Sequence, residues 1–259
     1  MDLGIKGRKA IVCASSKGLG RACAEHLAAA GVDLVLNART KGPLEDCATE
    51  IRERYGVKVT AVAADVTTPE GQDDIFAACP GPDILVNNAA GPPAGDFRDW
   101  SREDWHMALD GNMLAPIEMI RRCFDGMISR KFGRIVNITS AAVKSPFRPL
   151  GLSNGARAGL TGFVAGIARD GVANNVTINN ILPGLFATDR MTSLLDMIST
   201  RDGISEQEAI DMFAHSFPAG RLGDPDEFGV LCAFVCSARA GYITGQNLLI
   251  DGGDYPGTF

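Results

Sequence analysis

The sequence predicts a single α/β domain built on a doubly wound parallel sheet of about seven strands. Strand-like and helix-like segments alternate along the 259 residues, which is typical of repeated β-α units joined by right-handed crossovers. Most of the strand-like segments are continuous apolar runs, the pattern of strands that helices cover on both faces. No Pro/Ser-rich linker, low-complexity tract or internal repeat divides the chain, so we assign residues 1–259 to one domain.

The individual elements follow from short apolar runs and from helical periodicity between them. The predicted strands are Lys9–Ala14, Val32–Ala38, Val57–Ala64, Ile84–Asn87, Arg134–Thr139, Val176–Leu182 and Asn247–Ile250. The predicted helices are Leu19–Ala30, Pro43–Tyr55, Thr68–Ala78, Arg102–Ser129, Gly151–Val172, Met191–His215 and Asp226–Ser237. Thr68 and Asp224 each precede a proline, a pair that indicates an N-cap with proline at the first helical position.

The composition is that of an ordinary globular protein and excludes several classes of function. Twenty-five Lys and Arg against 31 Asp and Glu give a net charge of −6, and without a basic run we expect no binding to nucleic acid or to a membrane surface. No apolar stretch reaches about 18 residues, so no membrane span is predicted. Seven cysteines without C-x-x-C spacing, three dispersed histidines and no visible signal peptide favour a cytoplasmic protein with no metal site.

The turn after the first predicted strand has the features of a phosphate site. A fold of this kind binds ligands beyond the carboxyl ends of its strands. Gly18 and Gly20 open a helix there, which lets backbone N–H groups approach a pyrophosphate at the positive end of the helix dipole. A plain strand-to-helix turn is the alternative interpretation. The residues of this turn that we expect at a cofactor are Ser15, Ser16, Lys17, Gly18, Leu19 and Gly20.

The residues after the second strand indicate which dinucleotide binds. Ala38 stands where an NAD site would have a carboxylate for the ribose hydroxyls, and Arg39 offers a bidentate partner for a 2′-phosphate. Lys17 would add a second cation on the same side. The sequence therefore favours NADP(H) over NAD(H), the alternative being that Arg39 is a solvated loop charge.

Further motifs follow the later strands in order. They are the glycine-rich turn at 14–20, Asp65, Asn87-Asn88-Ala89-Ala90, Asn112, Ser140, Pro183-Gly184 with Thr188, Thr244-Gly245-Gln246 and Asp251-Gly252-Gly253. With these motifs the chain resembles the short-chain dehydrogenase/reductase family over essentially its whole length. The resemblance implies a Rossmann-like fold, a small-molecule substrate and a homotetramer or homodimer. It also implies cofactor contacts by Gly18, Leu19 and Gly20 at the pyrophosphate, Asp65 and Val66 at adenine, Asn88 and Ala89 beside the adenosine ribose, and Thr188 at the nicotinamide carboxamide or a nearby phosphate.

For the reaction itself, the resemblance implies that Asn112 holds a water of a proton relay and that Ser140 hydrogen bonds the substrate oxygen. The family expects a tyrosine thirteen residues after this serine and a lysine four residues later, but this sequence has Ser153 and Arg157. In the family the lysine lowers the pKa of the phenol, which exchanges a proton with the substrate. A serine is a poor proton source near neutral pH, whereas Arg157 could still bind the nicotinamide ribose.

A substitute for the missing phenol has to come from elsewhere in the chain. Lys144 lies four residues past Ser140, in a loop that should border the substrate pocket, and burial of its ammonium group could make it a proton donor. An ordinary solvated loop lysine is the alternative. No tyrosine lies near position 153 in the sequence, since Tyr55 is far upstream and Tyr242 and Tyr255 are near the C-terminus.

We expect an NADP(H)-dependent oxidoreductase that acts on a small carbonyl/alcohol or enone substrate with an altered proton relay at Ser153 and Arg157. Dienoyl-CoA-type family members carry serine at the tyrosine position. We therefore consider reduction of a C=C bond as well as reduction of a C=O bond. Two alternatives stay open. One is a non-redox lyase or isomerase, since halohydrin dehalogenases of this family have arginine at the lysine position, and the other is a catalytically silent nucleotide-binding protein. Ala14 also replaces the family's first glycine, and its methyl group is expected to crowd or reshape the turn.

Overall fold

The computed structural model of the protein contains a seven-stranded sheet with the strand order β3-β2-β1-β4-β5-β6-β7. It describes residues 1–189, 191–192, 199–200, 202–205, 207–208, 211 and 217–258. Every neighbouring pair of strands is parallel, which confirms the predicted doubly wound fold. The strands are β1 (Lys9–Val12), β2 (Asp33–Ala38), β3 (Val59–Ala63), β4 (Ile84–Asn87), β5 (Gly133–Ile138), β6 (Val176–Pro183) and β7 (Asn247–Ile250).

Helices connect these strands and cover both faces of the sheet. They are α1 (Gly18–Ala29), α2 (Lys41–Tyr55), α3 (Pro69–Ala78), α4 (Arg102–Leu109), α5 (Ala115–Arg130), α6 (Gly151–Ile167) and α7 (Pro225–Val235). The side chains of Thr68 and Asp224 cap α3 and α7 as predicted. The helix predicted over Met191–His215 lies largely outside the described residues. Within the described part of the chain, no helix is both long and apolar enough to cross a membrane.

Alternate residues of the strands enter two separate hydrophobic cores, one on each face of the sheet. In β1, Ala10 and Val12 pack into the core that includes α1, α2 and α7, whereas Ile11 packs into the core that includes α3, α5 and α6. Every residue of β5 is buried. Because helices cover both faces of the sheet, the strands are apolar runs in which polar residues do not alternate. The carboxyl ends of the strands are therefore the place where polar side chains can meet a ligand.

A π-helical turn over Asp110–Leu114 interrupts the helix that the sequence predicts over Arg102–Ser129. Pro116, near the start of α5, has no N–H and cannot donate to the carbonyl of Asn112 four residues earlier, so the regular hydrogen-bond ladder cannot continue there. Such π-turns are frequent at functional sites. This one directs the side chain of Asn112 inward, where it is 5% exposed.

β1 and α6 also end earlier than predicted. β1 ends at Val12 instead of Ala14, because Ala14 has a φ of 45°, in the left-handed region that a strand does not contain. α6 ends at Ile167 instead of Val172, and the chain continues through a 3₁₀ turn at Val172–Asn174. Residue 171 between them is a glycine, a poor helix former.

Candidate active site

The turn between β1 and α1 leaves the N-terminus of α1 open. Lys17 is the N-cap residue in an extended conformation, and its side chain makes no capping hydrogen bond. Gly18 follows with a left-handed φ of 57°, which glycine adopts without steric cost. Because the Lys17 side chain does not cap the first N–H groups of α1, these groups and the positive end of the helix dipole lie at the turn where the sequence predicts a pyrophosphate.

Ser15 supports this turn from inside the protein. It is fully buried, and its hydroxyl donates a hydrogen bond to the carbonyl of Val12 at 2.9 Å. Ser16 and Leu19 are half-buried, whereas Lys17 is exposed. Of the six turn residues that the sequence predicts at a cofactor, Ser15 therefore shapes the turn, and the others lie nearer its surface or form its backbone.

The backbone at Gly20 packs closely against Ala14 and Asn88. A Cβ atom at this position would lie 2.3 Å from the carbonyl oxygen of Ala14 and 2.8 Å from Nδ2 of Asn88. The Asn88 amide donates a hydrogen bond to that same carbonyl of Ala14 at 3.2 Å, so the end of β4 is tied to the turn. A side chain at position 20 would push these groups apart, which explains why the turn needs glycine there.

The segment after β6 folds back over the same turn. Cγ2 of Thr188 would lie 3.7 Å from a Cβ atom at Gly18, so Thr188 stands beside the open end of α1. Nζ of Lys17 lies 3.2 Å from Oδ2 of Asp189 in an exposed ion pair. Lys17 thus pairs on the β6 side, whereas the sequence predicts it as a second cation beside Arg39. Exposed pairs contribute little free energy, so this one does not fix the lysine in place.

The ends of β2 and β3 bring Arg39 and Asp65 to the other side of the turn. Arg39 is exposed, and Asp65 and Val66 are half-buried. The pKa of the Asp65 carboxyl is lowered chiefly by a hydrogen bond from the Thr67 backbone N–H, and the charge of the Arg39 guanidinium lowers it further. Arg39 and Asp65 therefore lie close together at the carboxyl edge of the sheet, where the sequence predicts the adenosine end of a cofactor.

The end of β5 brings three further predicted residues together. The hydroxyl of Ser140, half-buried, accepts a backbone hydrogen bond from the 3₁₀ turn Ala141–Val143 at 3.1 Å. α6 packs against that turn and carries Ser153 and Arg157, which are 7% and 8% exposed. Nε of Arg157 donates to Oγ of Ser153 at 3.2 Å, and its Nη1 donates to the carbonyl of Ile138 at 2.7 Å. The guanidinium therefore links α6 to the last residue of β5.

A small cavity joins several of these residues beneath the strand ends. Its volume is about 10 Å³, and its walls include Asn88, Ala89, Asn112 and Arg157. A space of this size is close to the smallest that holds one water molecule. Oδ1 of Asn112 is buried and has no hydrogen-bond partner among the described residues. An unsatisfied acceptor beside a water-sized space fits the predicted role of Asn112 in holding a water.

One contact was missed by the sequence reasoning. Nζ of Lys144 lies 5.9 Å from the ring centre of Tyr255, although the two residues are far apart in the sequence. The sequence feature that could have indicated this contact is Asp251-Gly252-Gly253. Its glycines have left-handed φ values of 69° and 86° and turn the chain back after β7. Tyr242 is fully exposed, and Tyr55 ends α2.

The position of the open turn defines the class of protein. The strand order reverses between β1 and β4, and the turn lies at the carboxyl end of β1, beside this switch point. Open α/β sheets bind dinucleotides at such a point. The fold and the site together are those of a dinucleotide-binding α/β protein.

Comparison with known proteins narrows the class to one family. A family model described as enoyl-(acyl carrier protein) reductase matches residues 13–254. The chain is 31% identical over 257 residues to 3-oxoacyl-(acyl-carrier-protein) reductase of Aquifex aeolicus, with 98% of this chain and 99% of the relative covered. It is 31% identical to the NADPH-dependent reductase BacG of Bacillus subtilis, with 95% and 97% covered. The chain therefore belongs to the short-chain dehydrogenase/reductase family.

A solved structure shows the same likeness in three dimensions. L-sorbose reductase from Gluconobacter frateurii, complexed with NADPH and L-sorbose, matches with a TM-score of 0.95 at 31% identity, and the match covers 100% of both chains. The likeness therefore extends over the strand ends that form the candidate site.

Proposed function

We propose that the protein is an NADP(H)-dependent oxidoreductase that acts on a small carbonyl/alcohol or enone substrate. The observation that carries this proposal is the exposed guanidinium of Arg39 at the end of β2, beside the open N-terminus of α1 at Gly18. A dinucleotide that lies across the strand ends would bring a 2′-phosphate to this arginine. The NADPH-dependent reductase BacG and the NADPH complex of L-sorbose reductase support the same cofactor.

The residues present fit this cofactor. The space that a Cβ atom at Gly20 would fill is taken by the Ala14 carbonyl and the Asn88 amide, so glycine at position 20 lets the turn close tightly at the N-terminus of α1, where a pyrophosphate would lie. When bound, NADPH supplies a hydride to an acceptor. The residues that would hold it are Ser15, Ser16, Lys17, Gly18, Leu19 and Gly20 around the pyrophosphate, Arg39 at the 2′-phosphate, Asp65 and Val66 at adenine, Asn88 and Ala89 beside the adenosine ribose, Arg157 at the nicotinamide ribose and Thr188 at the carboxamide.

Two serine hydroxyls are available to polarise a substrate oxygen. Arg157 can only donate hydrogen bonds, so the oxygen of Ser153 accepts from it and the hydroxyl keeps its own hydrogen for another acceptor. The oxygen of Ser140 likewise accepts a backbone N–H and keeps its hydrogen. Both hydrogens can be donated to a carbonyl oxygen, whose negative charge grows as it is reduced.

The proposed relay differs from that of the family at two positions. Ser153 and Arg157 stand where the family has its tyrosine and lysine, so the pair can bind and orient a substrate oxygen without being a proton source near neutral pH. Asn112 would hold a water in the adjoining cavity. Lys144, half-buried in the loop after Ser140, is the titratable group that the sequence offers as the acid.

The substrate class in this proposal rests on the relatives and on the rim of the site. A 3-oxoacyl thioester and L-sorbose, the substrates in the names of two matched proteins, both carry a ketone. Phe97 and Phe147 are 60% and 61% exposed, on the loops that follow β4 and β5. The ion pair of Arg148 with Asp96 at 3.2 Å joins these loops. A rim with exposed aromatic rings suits a substrate with an apolar part.

The test measures cofactor binding and turnover in the same samples. NADPH and NADH are titrated by fluorescence, and NADPH consumption is followed with ethyl acetoacetate, L-sorbose and 2-cyclohexen-1-one. We expect tighter binding of NADPH and consumption with at least one probe. Ser140→Ala should lower that turnover by roughly 10²–10³-fold while NADPH still binds. Ser145→Ala, an exposed serine of the same loop, is the matched control. NADPH binding without consumption by any probe would overturn the proposal.

One observation favours an alternative. The Ser153–Arg157 pair contains no group that exchanges a proton near neutral pH, as expected of a catalytically silent nucleotide-binding protein or of a non-redox lyase or isomerase on this scaffold. The silent protein would bind NADPH with no turnover. The lyase or isomerase would change a substrate while NADPH stays unchanged.

The proposal includes a homotetramer or a homodimer. Met107 of α4 and Leu114 of the π-turn are 59% and 44% exposed, and α4 packs beside α6. Exposed apolar side chains on α4 and the π-turn suit a self-complementary contact across a two-fold axis. Light scattering at micromolar concentration should give twice or four times the chain mass of 27.4 kDa. A mass of one chain would contradict this part of the proposal.

A further inference from the structure

Tyr255 lies at the carboxyl edge of the sheet. After β7, the N–H of Tyr255 donates to Oδ2 of Asp251 at 2.9 Å. Asp251 itself lies against the end of β6, because a Cβ atom at Gly184 would be 2.8 Å from the Cα of Asp251. The chain thus leaves the edge strand β7 and runs back across the end of β6. This path brings Tyr255 toward the end of β5.

The path ends at Lys144, beside Ser140. Nζ of Lys144 lies 5.9 Å from the ring centre of Tyr255, and both side chains are half-buried. Ser140 and Lys144 are the N-cap and the C-cap of the same 3₁₀ turn. At ~2 Å of rise per residue, their Cα atoms are within roughly 8 Å of each other. A phenol and an ammonium group therefore come together at one end of the 3₁₀ turn that begins at Ser140, whose hydroxyl would bind the substrate oxygen.

We infer that Tyr255 is the proton donor of this enzyme and that Lys144 is the cation that supports it. The inference rests on the proposed function and assigns the acid that Ser153 and Arg157 do not provide. Tyr255 takes this role in place of Lys144, which supports the phenol instead of donating the proton. As a hydride adds to the carbonyl carbon, the π electron pair of the C=O bond moves onto oxygen. The O–H bond of Tyr255 breaks and a new O–H bond forms on the substrate. A water then returns a proton to the phenolate, and the alcohol is released.

The contact with Lys144 suits this role electrostatically. An ammonium group beside an aromatic ring is attracted to its electron density, and the attraction grows when the ring oxygen becomes negative. Half-burial leaves both groups open to the solvent that must return the proton. Tyrosine and lysine are also the two residue types that the family uses for this step, but here they come from the loop after β5 and from the chain after β7.

The experiment compares Tyr255→Phe with Tyr242→Phe. Phenylalanine keeps the ring beside Lys144 and removes only the hydroxyl, and Tyr242, fully exposed, is the matched control. Reduction of ethyl acetoacetate and of L-sorbose by NADPH is measured in H₂O and in D₂O, and NADPH affinity is measured by fluorescence. We expect Tyr255→Phe to lower kcat by roughly 10²–10⁴-fold and to abolish the solvent isotope effect, with unchanged NADPH affinity. Tyr242→Phe should behave as the unmodified protein.

Variants of Lys144 test whether this residue supports the phenol of Tyr255 or donates the proton itself. Lys144→Arg keeps a cation near the ring and should retain most of kcat, whereas Lys144→Met should lower kcat and leave the solvent isotope effect in place. If Tyr255→Phe keeps the rate and the isotope effect of the unmodified protein, Tyr255 is not the donor, although the proposed function stands. If the unmodified protein consumes NADPH with 2-cyclohexen-1-one but with neither carbonyl, the proposed function stands and this inference is overturned. If it consumes NADPH with none of the three, both fail.

Discussion

The guanidinium of Arg157 donates a hydrogen bond to the hydroxyl of Ser153 at 3.2 Å. Both side chains lie on one face of α6 and are less than a tenth exposed. The same guanidinium donates to the carbonyl of Ile138 at 2.7 Å. Position 157 thus has a structural role in addition to any contact with a cofactor, because it joins the helix to the end of β5.

Replacing Arg157 should weaken the fold. Arg157→Met removes both hydrogen bonds and leaves the buried carbonyl of Ile138 without this donor. We expect the free energy of unfolding in urea to fall by about 1–3 kcal/mol. Arg169→Met, an exposed arginine just after α6, should change it by less than about 0.5 kcal/mol. Equal losses in the two variants would show that the Arg157 contacts contribute nothing specific.

Arg39 should decide between the two cofactors. Arg39→Ala removes the proposed bidentate partner of the 2′-phosphate and should weaken NADPH binding by about 1.5–3 kcal/mol. NADH binding should change little, since NADH has no 2′-phosphate. Arg54→Ala, an exposed arginine at the opposite end of α2, is the control in the same fluorescence titration. Equal dissociation constants of the unmodified protein for NADPH and NADH would contradict this prediction.

Gly20→Ala should disrupt the cofactor turn. The new methyl group would lie 2.3 Å from the Ala14 carbonyl oxygen, so the turn or the start of α1 has to move. We expect NADPH affinity to fall at least about tenfold, or about 1.4 kcal/mol. Gly42→Ala is the matched control, because a Cβ atom at Gly42 meets nothing within 4 Å. If the Gly20→Ala variant binds NADPH with unchanged affinity, the close packing of position 20 against the Ala14 carbonyl is not needed for cofactor binding.

Ala14→Gly should stabilise the protein. Ala14 has a φ of 45°, and the left-handed region costs a residue with a Cβ atom about 1–2 kcal/mol. Glycine avoids this strain but loses about 0.5–1 kcal/mol through its greater freedom in the unfolded chain. The expected gain in urea unfolding is therefore about 0.5–1 kcal/mol. A lower stability of Ala14→Gly would show that the alanine is not strained.

Two buried thiols should make the protein less stable at alkaline pH. Burial raises the pKa of Cys13 to about 12 and that of Cys123 to about 12. Above about pH 8.5 the unfolded chain releases these protons while the native chain keeps them. Each thiol then lowers the free energy of unfolding by about 1.4 kcal/mol per pH unit up to the native pKa. Urea unfolding between pH 8 and pH 10 measures the slope, which Cys13→Ala should reduce. An identical slope in both proteins would contradict the assignment.

The positions that the sequence predicts at the strand ends are local in the chain. The Gly18–Gly20 turn and Arg39 each follow directly after an apolar run, and parallel strands bring such positions to one edge. The fold follows from the same pattern, since runs without polar alternation require cover on both faces. The π-turn at Asn112 was not predicted, because the helical periodicity continues through it, and Pro116 was its available signal.

The parts that the sequence does not predict are contacts between distant segments. Lys17 pairs with Asp189 because the chain after β6 crosses back over the β1 turn. Tyr255 meets Lys144 because the chain turns after β7 and returns across two strand ends. Both contacts depend on the path of irregular segments, for which hydrophobic periodicity gives no information.

The decisive measurement is whether hydride passes from NADPH to a carbonyl carbon in this protein. NADPH that carries deuterium at the transferable positions of the nicotinamide ring is incubated with the protein and with ethyl acetoacetate or L-sorbose, and the alcohol products are analysed by mass spectrometry. We expect an alcohol with one deuterium on the former carbonyl carbon, and no deuterated alcohol when heat-denatured protein replaces the native protein. Protein that binds NADPH but yields no deuterated alcohol from either substrate would contradict it.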